Sequence, residues 1–191
     1  MKIRVFLLGI LLCSCIHAAW AFNHDYSQTW VSKLFLSKPD PAGGCIVNLT
    51  FEQALEGIRL TDNLSLGIPK IVYLVGWQYN GHDDKYPAFF DANPLLKRPS
   101  DKTALESLRW LLREARKYHT TVSLHINMTD AYDDSPLWDE YVEKDLISKN
   151  ADGSLKVIGE YNNRKAYQVN YQREWEAGYT QMRIDLSLIH I

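Results

Sequence analysis

The pattern of hydrophobic and polar positions divides the chain into alternating strands and helices. Residues 71–75 form a continuous apolar run, IVYLV, which is typical of a strand covered on both faces in a parallel sheet. Residues 50–64 and 101–118 each repeat apolar side chains at helical spacing, and the first stretch begins with a capping-box pattern. Residues 120–127 alternate branched apolar and polar side chains, which predicts a second strand. Because a helix separates the two strands, we expect them to pair in parallel through a right-handed crossover.

The rest of the pattern predicts a long loop and then smaller elements. Residues 78–100 show no periodicity and contain one glycine and three prolines; a loop of this length is usually functional or mobile. The elements predicted after the second strand are a short helix at 137–147, one arm of a hairpin at 155–161, a third core strand at 167–171 and a third crossover helix at 173–186. Together they predict a single α/β domain over residues 50–191, with about three βα units.

The first 21 residues have the pattern of a secretory signal peptide. Lys2 and Arg4 precede an apolar run at 5–16, and Ala-Trp-Ala at 19–21 fits a cleavage signal. Cys15 offers an alternative, because it could carry the lipid of an anchored lipoprotein. We therefore expect a secreted or cell-surface protein.

Composition narrows the function without identifying it. The chain is 46% hydrophobic and 23% charged with a net charge of −2, as in an ordinary globular protein. A near-neutral balance without a long basic run gives no basis for nucleic-acid binding, and no segment after the signal is long and apolar enough to span a membrane. Once the signal is removed only Cys45 remains, which excludes an internal disulfide. Residues 22–49, broken by two prolines and two glycines, predict an irregular lead-in segment.

Polar side chains follow both predicted strands at the end where parallel sheets build ligand sites. The first strand runs into the segment GWQYNGHDD at 76–84, and the second ends with His125 and Asn127. We expect these groups to share one mouth, where carboxylates, amides and imidazoles would hydrogen-bond sugar hydroxyls. The candidate substrate-binding residues are Trp77, Gln78, His82, Asp83, His125 and Asn127.

The same groups allow a metal site as a competing interpretation. His82, Asp83, Asp84 and His125 offer two imidazoles and two carboxylates, but their spacing matches no HExxH-type motif, and we predict no metal and no cofactor. The chain has no GxSxG elbow, P-loop or dinucleotide fingerprint, which argues against that kind of serine hydrolase and against nucleotide enzymes. Glycoside hydrolysis needs two carboxylates, and the loops at the mouth contain five: Asp83, Asp84, Asp130, Asp133 and Asp134.

Two segments resemble a known family. GWQYNGHDDKYPAFF at 76–90, followed by SLHINMTDAY at 123–132, resembles the catalytic domain of glycoside hydrolase family 101, the endo-α-N-acetylgalactosaminidases. The likeness covers roughly residues 50–185. It implies a (β/α)8 catalytic barrel that removes Gal-β1,3-GalNAc from Ser or Thr of mucin-type glycoproteins with retention of configuration. It also implies that Asp83 and His125 grip the substrate sugar.

The chain departs from that family in its catalytic residues. The family's aspartate nucleophile and glutamate acid/base are expected beyond residue 191, and about 170 residues after the signal are fewer than the roughly 250 of a full barrel. The resemblance therefore implies a partial (β/α)8 TIM-type barrel that binds its mucin-type O-glycan but cannot hydrolyse it. Two other interpretations stay open: a non-catalytic carbohydrate-binding surface protein, and a metal-dependent hydrolase using His82, Asp83 and His125.

Overall fold

The computed structural model describes residues 26–161 and 163–189. The predicted signal peptide and Cys15 lie outside these residues. The strands are β1 (Trp30–Phe35), β2 (Ser37–Pro39), β3 (Cys45–Val47), β4 (Lys70–Val75), β5 (Thr120–Leu124), β6 (Asp130–Tyr132), β7 (Val157–Tyr161) and β8 (Arg164–Gln168). The α-helices are α1 (Phe51–Leu64), α2 (Ala104–Ala115), α3 (Trp138–Glu143), α4 (Tyr171–Glu176) and α5 (Tyr179–Ile189), and short 3-10 helices lie at Pro94–Leu96 and Arg116–Tyr118.

A parallel sheet in the order β1-β4-β5 forms the centre of this mixed α/β fold. Lys70 of β4 lies opposite both Trp30 of β1 and Thr120 of β5, so the three strands begin level with one another. Their carboxyl ends consequently meet at one edge of the sheet. The two predicted strands are confirmed, although β5 ends at Leu124, three residues earlier than the alternation suggested.

The two predicted amphipathic helices cover this sheet. The Thr50 hydroxyl accepts from the Gln53 amide nitrogen at 3.2 Å and the Gln53 side chain accepts from the Thr50 N–H at 2.9 Å, which confirms the capping box of α1. Helix α2 has the same device, with Thr103 as its cap. The apolar faces of both helices pack with the buried sheet residues in one core: Phe51, Ala54, Ile58, Val72, Leu74, Leu108, Leu111, Ala115, Val122 and Leu124.

The prediction of an irregular segment over 22–49 is wrong. Residues 30–35 form β1, an edge strand of the parallel sheet, and β2 pairs with β3 in a small antiparallel hairpin. Strand β1 was not predicted because its sequence, WVSKLF, contains no continuous apolar run of the kind seen in a strand covered on both faces. Its first two side chains, Trp30 and Val31, are about half exposed. The first strand of the sheet therefore lies 40 residues before the one recognised from the sequence.

The prediction of a third core strand at 167–171 is also wrong. Strand β8 is the central strand of a separate antiparallel sheet, in the order β6-β8-β7, and α4 already begins at Tyr171. The predicted hairpin is confirmed, because β7 and β8 pair antiparallel. The third crossover helix is split into α4 and α5, with Gly178 at φ +80° between them. Among the described residues no helix has the length and apolarity to cross a membrane.

Candidate functional site

Two glycines shape the loop that follows β4. Gly76 has φ +75°, and a Cβ there would lie 1.9 Å from the Ser37 carbonyl oxygen. Gly81 has φ +118°, and a Cβ there would lie 2.6 Å from the Lys38 Cα. No L-residue with a side chain fits either place. The close approach lets the His82 N–H donate to the Ser37 carbonyl at 2.9 Å, which fixes His82 at the carboxyl end of the sheet.

Three predicted residues meet at this edge, and we call them the His-Asp-His cluster: His82, Asp83 and His125. The Asp83 Oδ1 atom lies 3.5 Å from the His82 Nε2 and 3.8 Å from the His125 Nε2. The two imidazole rings stack with centroids 5.3 Å apart. His125 is held by its own N–H, which donates to the Leu74 carbonyl at 3.0 Å. Asp83 adopts φ +55°, a strained backbone conformation for a residue other than glycine, as is often found at functional sites.

The cluster presents hydrogen-bonding atoms that the protein leaves unused. The Asp83 Oδ1 is buried and accepts no hydrogen bond from the described residues. Burial lowers the pKa of His125, Asp83 opposes this effect, and His82 and Lys33 lower the pKa further. His125 is therefore a neutral imidazole at neutral pH, with one ring nitrogen that donates and one that accepts. Behind Asp83, burial and the adjacent carboxylate raise the pKa of the Tyr86 phenol well above its ordinary value.

Asp84, the neighbour of Asp83, has a structural role instead. Its side chain is buried, and its two oxygens accept from Arg164 Nη1 at 2.6 Å and from the Asn80 side chain at 2.9 Å. The same Arg164 nitrogen lies 3.0 Å from Asp134, which Lys85 also binds at 2.8 Å. These contacts tie the loop after β4 to β8 and occupy two of the rim carboxylates considered from the sequence.

Trp77 and Gln78 lie beneath the cluster and not in the mouth where direct contact was expected. Trp77 is 0% exposed, and its indole nitrogen donates to the His125 carbonyl at 3.0 Å. Gln78 is 1% exposed, and its side-chain nitrogen donates to the Asp84 carbonyl at 2.8 Å. Because both side chains are buried, neither can touch a sugar in this structure. They instead hold the backbone of His125 and Asp84 in place.

Asn127 lies in the wall of the mouth, and its side chain shapes the local turn. Its Oδ1 accepts from the Thr129 N–H at 2.8 Å and from the Thr129 hydroxyl at 2.6 Å. Its carbonyl accepts from Arg183 of α5 at 2.8 Å. Because its Oδ1 is engaged in the turn, the Asn127 side chain has its amide nitrogen to donate to a ligand.

The mouth contains a cavity of about 680 Å3, which we call the rim cavity; its lining residues are His82, Asp83, Asn127, Thr129, Asp130, Glu160 and Tyr161. His125 is not among these lining residues, and its ring stacks on that of His82. The volume suits a ligand of one or two sugar rings. Glu160 and Tyr161, at the end of β7, were not among the predicted site residues. The sequence predicted one arm of their hairpin but not its return to the mouth, because the antiparallel sheet that carries the hairpin was not recognised.

The sequence profile of the family described as endo-alpha-N-acetylgalactosaminidase matches residues 45–188. The quadruple mutant of alpha-N-acetylgalactosaminidase NagBb from Bifidobacterium bifidum is similar in structure, with a TM-score of 0.67 and 13% sequence identity over 85% of this chain and 26% of that one. A trehalose-6-phosphate hydrolase from Bacillus licheniformis gives a TM-score of 0.57 and 11% identity over 88% of this chain and 34% of that one. An alpha-amylase from Lactobacillus plantarum gives a TM-score of 0.51 and 19% sequence identity over 82% of this chain and 34% of that one.

The structural likenesses show a fold that is shared with these glycoside-cleaving enzymes. The chain spans about a quarter of the NagBb structure and about a third of the other two.

Proposed function

The chain belongs to the endo-alpha-N-acetylgalactosaminidase family, glycoside hydrolase family 101, and from this membership we propose that its rim cavity binds the sugar of a mucin-type O-glycan. The expected ligand is Gal-β1,3-GalNAc linked through an α bond to Ser or Thr. The reaction it would serve is hydrolysis of that bond with retention of configuration. The apolar segment and Ala-Trp-Ala pattern at the N-terminus favour an extracellular place of action on secreted or surface glycoproteins.

The observation that carries this proposal is the unused hydrogen-bonding capacity of the His-Asp-His cluster. A carboxylate can accept from two neighbouring sugar hydroxyls, and Asp83 has a buried oxygen that no described residue satisfies. The two imidazoles beside it can each donate to, or accept from, a further hydroxyl. A sugar would complete this set, and the buried acceptor then gains the partner it lacks.

The buried residues below the cluster keep it in place. The indole of Trp77 holds the His125 carbonyl, and Gln78 holds the backbone of Asp84, the residue that follows Asp83. A binding site held by such supports loses little conformational entropy when it closes on a sugar. We therefore give Trp77 and Gln78 a positioning role and give the cluster, with Asn127, the contacts.

Asp83 has a binding role in this proposal and not the role of nucleophile. Retaining hydrolysis needs a nucleophilic carboxylate about 5–5.5 Å from a second one that acts as acid and base. The ionisable groups beside Asp83 are two imidazoles and the Tyr86 phenol, and the adjacent Asp84 is fixed by Arg164. We assign the two catalytic carboxylates to neither Asp83 nor Asp84.

A glycopeptide titration tests the proposal. Isothermal titration calorimetry would compare binding of a peptide carrying Gal-β1,3-GalNAc-α-Thr with the same peptide carrying no sugar. Asp83→Asn keeps the shape and tolerates the left-handed backbone, so it removes only the charge. Loss of a hydrogen bond to a charged group should weaken binding about ten- to hundredfold.

A histidine pair supplies the matched control. His125→Asn should weaken glycopeptide binding, whereas His119→Asn, at the opposite end of the sheet beside Asp62, should not. Equal affinity of the parent chain and Asp83→Asn would contradict the assignment of the rim cavity. Turnover of the glycopeptide by this chain would contradict the prediction that it binds the O-glycan without hydrolysing it.

A further inference from the structure

The His-Asp-His cluster has a second chemical capacity besides hydrogen bonding to a sugar. Each of its residues directs one ligand atom toward the others, and the three atoms lie within 4.8 Å of one another. The separations from Asp83 Oδ1, 3.5 and 3.8 Å, are too long for good hydrogen bonds. The carboxylate oxygen and the imidazole nitrogens therefore converge without satisfying one another.

These separations match those around a tetrahedral metal ion. Ligand atoms held about 2.0–2.2 Å from zinc in tetrahedral geometry lie roughly 3.3–3.6 Å from one another. The two distances from Asp83 Oδ1 are within a few tenths of an ångström of that arrangement, and the two imidazole nitrogens, within 4.8 Å of each other, would move together as the ion binds. Two imidazoles and one carboxylate are a common ligand set for zinc, and they leave the fourth position open to water.

We propose that the His-Asp-His cluster binds a Zn2+ ion at the place where the sugar would bind, so that zinc inhibits glycan binding. The metal assignment stands on the convergence of the three ligand atoms and on the buried, unsatisfied Asp83 oxygen. The inhibition rests in addition on the proposed function, because the same Asp83 oxygen would accept from a sugar hydroxyl. Zinc and sugar then exclude each other, as two ligands of one carboxylate.

The cluster differs from the other histidine–carboxylate contact among the described residues. His119 lies 3.2 Å from Asp62, but Asp62 is already paired with Lys70 at 2.5 Å. The ammonium group occupies the place of a cation there, and no second imidazole from residues 26–161 or 163–189 joins them. That contact therefore serves as a control with similar residue types and no capacity for zinc.

Zinc binding is measured by titrating zinc chloride into the full 191-residue chain in a calorimeter, with magnesium chloride as the control ion. Magnesium prefers six oxygen ligands and should give no heat at this cluster. Replacing any one ligand, in His82→Asn, Asp83→Asn or His125→Asn, should weaken zinc binding at least about tenfold. His119→Asn should bind zinc as the parent chain does.

A second measurement does not depend on comparing variants. Cobalt(II) bound to three protein ligands and one water should show the intense visible absorption of a four-coordinate ion. Circular dichroism of each variant would confirm that it folds, and a variant that fails this check is replaced by the corresponding glutamine. The assignment is overturned if the parent chain and all three cluster variants bind zinc with equal affinity. It is also overturned if bound cobalt shows the weak spectrum of a six-coordinate ion.

The competition is tested with the glycopeptide described above. Saturating zinc should reduce glycopeptide affinity at least about tenfold, and a chelator should restore it. Zinc binding that leaves the glycopeptide affinity unchanged would overturn the inhibition. If the zinc-free chain does not bind the glycopeptide, the proposed function fails, whereas the zinc assignment is still decided by the titration and the cobalt spectrum.

Discussion

The ion pair between Arg183 and Glu174 lies inside the protein, and Arg183 contacts the backbone of Asn127, which lines the rim cavity. The two side chains are 0% and 2% exposed, and Arg183 Nη1 lies 2.6 Å from Glu174 Oε1. Arg183 also donates to the Pro87 carbonyl at 3.1 Å and to the Asn127 carbonyl at 2.8 Å. One guanidinium thus connects α5 with both loops that form the mouth.

Arg183→Met should therefore cost much more than the loss of an ordinary ion pair. The change leaves the Glu174 charge buried with only neutral hydroxyl partners, and removing one partner of a buried pair costs about 3–5 kcal/mol. For a chain of this size about 2–4 °C of melting temperature corresponds to 1 kcal/mol, so we expect a decrease of roughly 6–20 °C. The double variant Arg183→Met with Glu174→Gln should recover part of this loss, because no unpaired charge remains.

An exposed pair of the same chemistry is the control. Arg59 and Glu56 lie 2.5 Å apart on α1 with side chains 40% and 53% exposed. Arg59→Met should change the free energy of unfolding far less than Arg183→Met does, because solvent screens the exposed pair. Urea denaturation of the parent chain, Arg183→Met, Glu174→Gln, the double variant and Arg59→Met gives the comparison. The reasoning is refuted if Arg183→Met costs no more than Arg59→Met, or if the double variant is as unstable as the sum of its single changes.

Three further changes have definite outcomes. Gly76→Ala should abolish cooperative unfolding, because its Cβ would lie 1.9 Å from the Ser37 carbonyl oxygen; a normal thermal transition would contradict this. Lys70 lowers the pKa of Asp62, so the stability from this pair is present above about pH 4 and is lost as the pH falls through the lower, folded-state pKa. Urea denaturation at several pH values should accordingly show a steeper acid loss in the parent chain than in Asp62→Asn. Arg164→Met should cost about 1.5–3 kcal/mol by freeing a buried carboxylate and should also weaken glycopeptide binding; unchanged affinity would separate this contact from the site.

The elements that the sequence predicted well are those whose signal is local. Helix α1 was recognised because its cap, Thr50, and its apolar stripe all lie within 15 residues, and its observed start agrees with them. Strand β4 was recognised because both of its faces are covered, which makes its apolar run continuous. In each case the structure is determined by interactions between near neighbours and by burial of a whole element.

The elements that were missed depend on contacts far along the chain. Strand β1 is defined by its pairing with β4, 40 residues later, and its sequence WVSKLF does not show which face will be covered. Strand β8 resembles a core strand locally, yet it pairs with β6 and β7 in a separate antiparallel sheet. A pattern of apolar residues indicates that a strand is buried, but it does not indicate which strands it pairs with.

Asp83 and Asp84 show the same limit within the site. They are adjacent and chemically identical, and the sequence offered both as groups of the mouth. The structure separates them, because Arg164, 80 residues away, binds Asp84 and leaves Asp83 with an unsatisfied oxygen between two imidazoles. A carboxylate that already has a buried guanidinium partner has little to offer a ligand, whereas one with an unsatisfied buried oxygen can bind a sugar hydroxyl or a cation. The functional difference between the two residues therefore arises from a distant arginine, which no local pattern around residues 83 and 84 could have revealed.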